Sequence, residues 1–238
     1  MKSEQERIDR VSGWYRDEQL DFDKRMIQFR YRCIRPHLVG TRGCEFGPAE
    51  GQMTRLLVND FDSLTVVDAA ASLLNLIPDD PKLVKVHSLF EEYEPSSRFD
   101  TIVMEHILEH VEFPAELLRR ASGWLDKSSS GRIVLGVPNA DSFHRLAAVK
   151  MGLLSEPCEL NARDVSLGHR RVYNRSELRA DIESAGLRVV EMGGVFMKPL
   201  SNGQIEEHWT DEMIEAFFEL GQEFPENAAE IFAVAELA

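Results

Sequence analysis

Residues 42–51 read Arg-Gly-Cys-Glu-Phe-Gly-Pro-Ala-Glu-Gly, and the next apolar run, Leu64-Thr-Val-Val-Asp68, ends on a carboxylate. A helical pattern over residues 52–60 separates them. A strand, a glycine-bearing turn, a helix and a second strand ending on an acid form the nucleotide-binding half of a doubly wound α/β sheet. Gly47 and Gly51 let the backbone approach a ligand closely, and Asp68 can accept both hydroxyl protons of a ribose.

The spacing of these glycines argues against a dinucleotide. A dinucleotide-binding turn has the pattern G-x-G-x-x-G and seats a pyrophosphate on a helix N-terminus. Here Pro48, Ala49 and Glu50 separate the glycines, and the carboxylates of Glu45 and Glu50 would repel pyrophosphate. The pattern favours a nucleoside that carries positive charge and no phosphate.

Four segments resemble class I S-adenosylmethionine (SAM)-dependent methyltransferases. Glu45–Gly51 is similar to their first motif, usually acidic-x-Gly-x-Gly-x-Gly, with Ala49 in place of the middle glycine. Residues 99–111, Phe-Asp-Thr-Ile-Val-Met-Glu-His-Ile-Leu-Glu-His-Val, resemble a segment of methyltransferases from quinone and natural-product pathways. Residues 137–145 and 168–173 resemble segments that border the acceptor pocket in one bacterial subgroup.

The resemblance implies SAM as the cofactor, which is cationic and has no phosphate. The cofactor-binding residues it implies are Glu45, Phe46, Gly47, Gly51, Asp68, Ala69, Ser88, Leu89 and Glu105. Ser88 stands where the family often has an acid that touches adenine, so the backbone of Leu89 and Phe90 is expected to make that contact instead.

The acceptor side is predicted from the segments after the fourth and fifth strands and from the end of a long loop. His106 and His169 are the candidate catalytic residues, with His106 favoured as the base because an imidazole titrates near neutral pH. The alternative is that His106 lines the pocket without moving a proton. Predicted acceptor-binding residues are Asn139, Arg170 and Tyr173, although Arg170 and Arg171 could equally anchor the loop through salt bridges. Glu109 and His110 are expected to fix the turn by hydrogen bonding.

Alternating strand and helix patterns predict the α/β class with a mostly parallel sheet. By resemblance, the sheet has seven strands, with the last strand antiparallel and inserted before the sixth. Residues 1–39 are predicted as an N-terminal helical cap, with an apolar stripe formed by Ile27, Tyr31, Ile34 and Leu38. Residues 40–238 are predicted as the SAM-binding domain, in which the polar stretch 152–173 forms a mobile lid.

Composition excludes several functions. The formal net charge is −14, and the last 38 residues hold ten acidic residues and no Lys or Arg. Nucleic acid binding is not predicted, because the basic residues between 24 and 35 read as a solvated helix face. No apolar run is long enough for a membrane span. Cys33, Cys44 and Cys158 suggest reduced thiols in the cytoplasm, with no disulfide framework and no metal site.

The sequence therefore predicts a cytoplasmic enzyme that methylates an oxygen or nitrogen of a small-molecule acceptor. Two alternatives stay open: a non-catalytic partner protein with the same fold, and a nicotinamide-dependent oxidoreductase on a similar sheet. The sequence does not identify the acceptor, and it allows a homodimer.

Overall fold

The structure is a computed structural model that describes residues 4, 7, 8, 21–128 and 130–238. Seven strands form one sheet: β1 (Arg42–Phe46), β2 (Ser63–Asp68), β3 (Leu83–His87), β4 (Thr101–Glu105), β5 (Arg132–Pro138), β6 (Leu187–Val195) and β7 (Glu230–Leu237). Their order is β3-β2-β1-β4-β5-β7-β6, and β7 runs antiparallel to both neighbours. The predicted fold class is confirmed, including the position of the antiparallel strand.

Nine described helices of four residues or more surround the sheet: α1 (Asp21–Ile34), α2 (Thr54–Leu57), α3 (Ala71–Leu74), α4 (Pro114–Ser122), α5 (Phe143–Lys150), α6 (Ala162–Ser166), α7 (Arg175–Ser184), α8 (Asn202–His208) and α9 (Asp211–Glu223). Short 3₁₀ turns lie at Arg35–His37 and Pro225–Asn227. The helix predicted over 52–60 is shorter than expected. Turns flank it, and the Asn59 side chain donates to the carbonyls of Arg55 and Leu56, which competes with helical bonding.

Consecutive residues of the central strands supply two cores, because side chains of a strand alternate between the faces of a sheet. Ile102 and Met104 belong to the core that includes α4 and α7, whereas Val103 belongs to the core that includes α1 and α9. Likewise, Val134 belongs to the core of α1 and α9, whereas Ile133 and Leu135 belong to the core of α4 and α7. Burial on both faces explains why these strands read as continuous apolar runs.

The helix α1 presents a different face to the core from the one predicted. Phe22, Met26, Phe29 and Cys33 recur at helical spacing and are 6% exposed or less. Of the predicted stripe only Ile34 is fully buried, while Ile27, Tyr31 and Leu38 are half-buried. The Phe29 ring stacks on Phe218 of α9 with centroids 4.5 Å apart, so aromatic packing sets the rotation of the helix. The break predicted at residues 13–15 lies outside the described residues.

The stretch 152–173 contains the short helix α6 and is tied to the body. Arg145 donates to the Pro157 carbonyl at 2.7 Å and to the Asp164 carboxylate at 3.0 Å. At the other end, the Arg170 N–H donates to the Glu109 carbonyl at 2.7 Å, and the Arg171 guanidinium donates to the Val111 carbonyl at 2.6 Å. The mobility of this lid stays a prediction.

Across residues 21–128 and 130–238, none of the helices has both the length and the apolar character that a bilayer span requires.

Candidate active site

Four acidic side chains meet at one edge of the sheet. Glu45, Asp68 and Glu105 are the last or second-to-last residues of parallel strands, so they share the carboxyl edge. The residues that precede them, Cys44, Val67 and Met104, belong to the core that includes α4 and α7. Because side chains alternate along a strand, the three acids lie on the opposite face of the sheet, which α1 covers. Glu230 joins them because β7 is antiparallel and begins at this edge, where it pairs with Pro138.

A cavity of about 460 Å³ opens above this edge, which is within the usual range for small-molecule sites. We name its two ends by their side chains. The Asp68 end comprises Glu45, Gly47, Ala49 and Asp68; the His106 end comprises Arg30, His106, His169, Lys198 and Glu230. Glu105 lines the wall, and Leu89, Phe90 and Ala69 line the Asp68 side.

At the Asp68 end, the carboxylate of Asp68 is fixed by backbone. Its side chain accepts a hydrogen bond from the Ala70 N–H at 2.7 Å and is 8% exposed. Burial raises the pKa of Asp68 to about 6, even though backbone N–H groups of Ala70 and Ala49 act in the opposite direction. At neutral pH the group is therefore ionised and oriented at the end of β2.

Two further carboxyl groups in the wall are held in their neutral form more strongly. Burial raises the pKa of Glu45 to about 8, although the Thr54 hydroxyl donates to it at 2.6 Å. Burial also raises the pKa of Glu105 to about 7. A cation that entered the cavity would favour ionisation of both groups. The site thus suits a positively charged ligand and disfavours a pyrophosphate.

The turn after β1 depends on left-handed backbone conformations. Gly47 has a φ of +65°, and a Cβ atom built on it would lie 2.4 Å from Cδ1 of Ile107. Ala49 adopts a φ of 46° without being glycine, which costs conformational free energy. Ala49 thus adopts a backbone conformation that suits glycine, and it stands at the position of the middle glycine in the methyltransferase motif.

At the His106 end, an imidazole lies between two carboxylates. His106 Nδ1 is 3.0 Å from Glu109 Oε1, and its Nε2 is 3.4 Å from Glu230 Oε1. Arg30 reaches Glu230 through two bonds of 2.7 and 2.8 Å. Burial by itself lowers the pKa of His106, but the carboxylates of Glu230 and Glu109 outweigh it and raise the pKa to about 9. His106 therefore carries a proton at neutral pH and is not ready to accept another.

The second candidate catalytic histidine also lines the cavity. His169 Nδ1 lies 3.3 Å from Asp164 Oδ1, and the His169 ring packs edge-on against the ring of His110. Asp164 is held in turn by Arg145. The loop 152–173 thus places a histidine opposite the turn after β4, and the catalytic role of His169 stays a prediction.

Four predicted site residues do not line the cavity. Gly51 packs its backbone on Ile77, and Ser88 donates its hydroxyl to the carbonyl of Leu89. Arg170 donates to the carbonyl of His110 and pairs with Glu4, so it anchors the loop. Tyr173 is 2% exposed and donates to Asp181, which makes it part of the core.

Asn139 lines the cavity, yet its amide is engaged with backbone. Its Nδ2 donates to the carbonyls of Ala228 and Glu226, and its Oδ1 accepts from the Asp141 N–H. The Phe46 ring similarly packs against Tyr93 and Trp124. These two residues shape the wall, and their side-chain groups are not free for a ligand.

Sequence reasoning missed Arg30, Lys198 and Glu230. Arg30 was assigned to a solvated helix face, but its side chain is only 17% exposed and enters the cavity. Burial lowers the pKa of Lys198 to about 8, and its Nζ donates to Asn202. One signal was available: Glu230 is an acid at the start of an otherwise apolar strand, where an unpaired charge would be costly.

A sequence model described as a methyltransferase domain matches residues 16–192, well over half of the chain. No curated protein matches the sequence of this chain significantly. Similar solved structures include the CcbJ methyltransferase of Streptomyces caelestis, with a TM-score of 0.65, 15% identity and 97% coverage of both chains. The N-methyltransferase NodS of Bradyrhizobium japonicum, solved with S-adenosylhomocysteine, has a TM-score of 0.59 and 15% identity, covering 98% of this chain and 96% of that one.

A putative methyltransferase of Haloferax volcanii, solved with a methyltransferase activator, has a TM-score of 0.62 and 16% identity, covering 96% of this chain and 97% of that one. At these identities the structural likeness establishes the fold, whereas the domain match establishes the family. The ordered Asp68 carboxylate and the glycine cradle at Gly47 fit SAM. The chain therefore belongs to the methyltransferase-domain family and is a SAM-dependent methyltransferase.

Proposed function

We propose that this enzyme transfers the methyl group to an oxygen or nitrogen atom of a small polar molecule. The observation that carries the proposal is one continuous cavity with two chemically different ends. The Asp68 end offers an oriented carboxylate and a close-approach turn, and the His106 end offers a buried network of ion pairs. A cofactor and an acceptor can occupy such a cavity together.

The Asp68 end would hold the cofactor. Asp68 would accept hydrogen bonds from the ribose hydroxyls, and the backbone at Gly47 would approach the methionine portion. Glu45 and Glu105 would balance positive charge in a wall where water is scarce. When bound, SAM supplies an activated methyl group, so the protein chiefly contributes placement and a dry cavity.

The His106 end would hold the acceptor. Lys198, His169 and His106 line the cavity at this end, together with the ion pair of Arg30 and Glu230. A molecule with hydroxyl, amine or carboxyl groups would satisfy these donors and acceptors, whereas an apolar one would leave them unpaired. Because His106 carries a proton, we assign it to orientation of the acceptor and to charge balance, and not to proton removal at neutral pH.

Calorimetry with SAM and with NAD tests the cofactor assignment. SAM is expected to bind with one site per chain, and NAD is expected not to bind. Binding of NAD without SAM would overturn the proposal and favour the oxidoreductase alternative.

Transfer is tested with SAM labelled in its methyl group and a small-molecule extract of the source cells. Label is expected in a compound of low molecular mass, and the Asp68→Ala variant is expected to incorporate less label when SAM is below saturation. Retained SAM binding without label in any compound would instead favour the non-catalytic alternative.

A further inference from the structure

We propose that Glu109, His110 and His169 form a binding site for a divalent transition-metal ion at the wall of the cavity. One ligand atom from each of these side chains lies within 4.8 Å of the other two. Glu109 and His110 lie in the turn after β4, and His169 lies at the end of the loop 152–173. No spacing rule predicted the site, because His169 is adjacent to Glu109 and His110 in space but distant from them in sequence.

The orientation of the two rings suits a shared ion. The His110 and His169 rings are 4.8 Å apart between centroids and almost perpendicular, at 84°. Two imidazoles that share an ion at bond lengths of about 2.1 Å have centroids about 5 Å apart. Side-chain rotations that bring the three ligand atoms slightly closer would complete the coordination.

The carboxylate of Glu109 is the second observation that points to an ion. Glu109 has no exposed surface, and neither of its carboxylate oxygens has a hydrogen-bond partner of good geometry among the described residues. Oε1 faces His106 Nδ1 at 3.0 Å. A buried carboxylate oxygen without a hydrogen bond is costly, and a bound cation would remove that cost.

The donor set selects the class of metal. Two imidazoles and one carboxylate favour Zn²⁺, Co²⁺, Ni²⁺ or Fe²⁺ over Mg²⁺ and Ca²⁺, which prefer oxygen ligands alone. His169 Nδ1 lies 3.3 Å from the carboxylate of Asp164, which orients the ring as acids behind metal-bound histidines do.

The surroundings contain charges of both signs. Arg7 and Arg170 both donate to the His110 carbonyl, but both also pair with Glu4. His106 and Arg30 share the carboxylate of Glu230. Each of these four cations thus contacts a carboxylate, which reduces its repulsion of a divalent ion.

The proposed site opens toward the cavity. His110 and His169 line the cavity, and three protein ligands leave coordination positions free, as in metal sites that bind substrates. We infer that these positions take oxygen atoms of the acceptor, and this second step rests on the proposed function. A metal-bound hydroxyl group loses its proton at a lower pH than a free one. The acceptor would therefore carry a hydroxyl group, with a second oxygen beside it.

The test begins with Co²⁺ added to full-length protein that has been dialysed against EDTA. One Co²⁺ per chain is expected to give visible absorption bands of a nitrogen- and oxygen-ligated ion. Glu109→Gln, His110→Ala and His169→Ala should each weaken binding at least about tenfold. His208→Ala is the control, since His208 is exposed and lies beside the exposed Glu207, outside the proposed site. Circular dichroism of each variant checks that it is folded. If His169→Ala is unfolded, His169→Asn takes its place.

Two results would overturn the site: absence of stoichiometric Co²⁺ binding, or binding that all three substitutions leave unchanged. The open positions are tested by adding acetohydroxamate, a ligand with two oxygen donors, to the Co²⁺ protein. A shift of the absorption bands is expected, and an unchanged spectrum would overturn the acceptor step. SAM calorimetry on the same samples shows separately whether the proposed function holds.

Discussion

The two ends of the cavity use buried carboxyl groups in opposite ways. At the Asp68 end, no Lys or Arg of the described residues pairs with Glu45 or Asp68, and burial raises the pKa of each. At the His106 end, Glu230 contacts Arg30 and His106, which hold its pKa well below the usual range despite burial. The carboxyl groups at the Asp68 end can therefore be stabilised by the positive charge of a bound ligand. At the His106 end, the protein's own cations already neutralise the Glu230 carboxylate.

The largest expected effect comes from breaking the ion pair at the His106 end. Arg30→Met should lower the free energy of unfolding by about 3–5 kcal/mol, because it leaves the buried Glu230 carboxylate with His106 alone. Arg25→Met on the same helix is the matched control. Its partner Asp211 is exposed, so the cost should stay below about 1 kcal/mol. Urea denaturation measures both, and equal losses would contradict the contrast.

The turn at the Asp68 end should respond next most strongly. Gly47→Val should cost about 2–4 kcal/mol and abolish SAM binding, since the side chain meets Ile107 and the backbone is left-handed. Gly152→Val is the control, because Gly152 has a φ of +72° and open space around it. Thermal unfolding measures the stability of both variants. If both lose the same stability, contact with Ile107 is not the cause of the loss in Gly47→Val.

Removing the oriented acid should separate binding from stability. Asp68→Ala should weaken SAM binding by about 1.5–3 kcal/mol, the scale of lost hydrogen bonds to a charged group. Asp80→Ala makes the same chemical change in an exposed turn and should leave the affinity unchanged. Calorimetry measures both variants. An Asp68→Ala protein that binds SAM as tightly as the original would remove the ribose assignment.

The smallest expected effect concerns Glu45 and the pH dependence of the free energy of unfolding. Its sign is opposite to that of the contribution from Glu230. The pKa of Glu45 is about 8 in the folded protein and near 4.5 when unfolded. Its contribution to stability is therefore complete below about pH 4.5 and is lost as the pH rises through about 8. Across that window the original protein should lose about 1–3 kcal/mol relative to Glu45→Gln, which stays neutral.

Urea denaturation of both proteins at several pH values measures the Glu45 effect. Glu230 has a lowered pKa, so its contribution is present above its unfolded pKa and is lost only in acid. A constant difference between the original protein and Glu45→Gln from pH 4.5 to pH 8 would show that Glu45 is not desolvated.

The residues of the Asp68 end could be grouped from the sequence because they are close together in the chain. Gly47, Ala49 and Asp68 lie within one strand–turn–helix–strand unit, whose backbone geometry is set by residues close in the chain. The role of Gly47 followed from its lack of a Cβ atom, although the contact with Ile107 could not be foreseen. The strands were also predictable, since β2, β4 and β5 are buried on both faces and read as apolar runs.

Only the tertiary structure decided the His106 end. It is assembled from α1, the turn after β4, the loop 152–173 and the start of β7, and the order of strands in the sheet brings these segments together. The sequence alone determined the fold class and predicted a place for the cofactor, because both inferences depend on periodicity and short-range spacing. It could not determine that Arg30 turns inward or that Glu109, His110 and His169 converge. Those contacts depend on packing between distant segments, which no local pattern encodes.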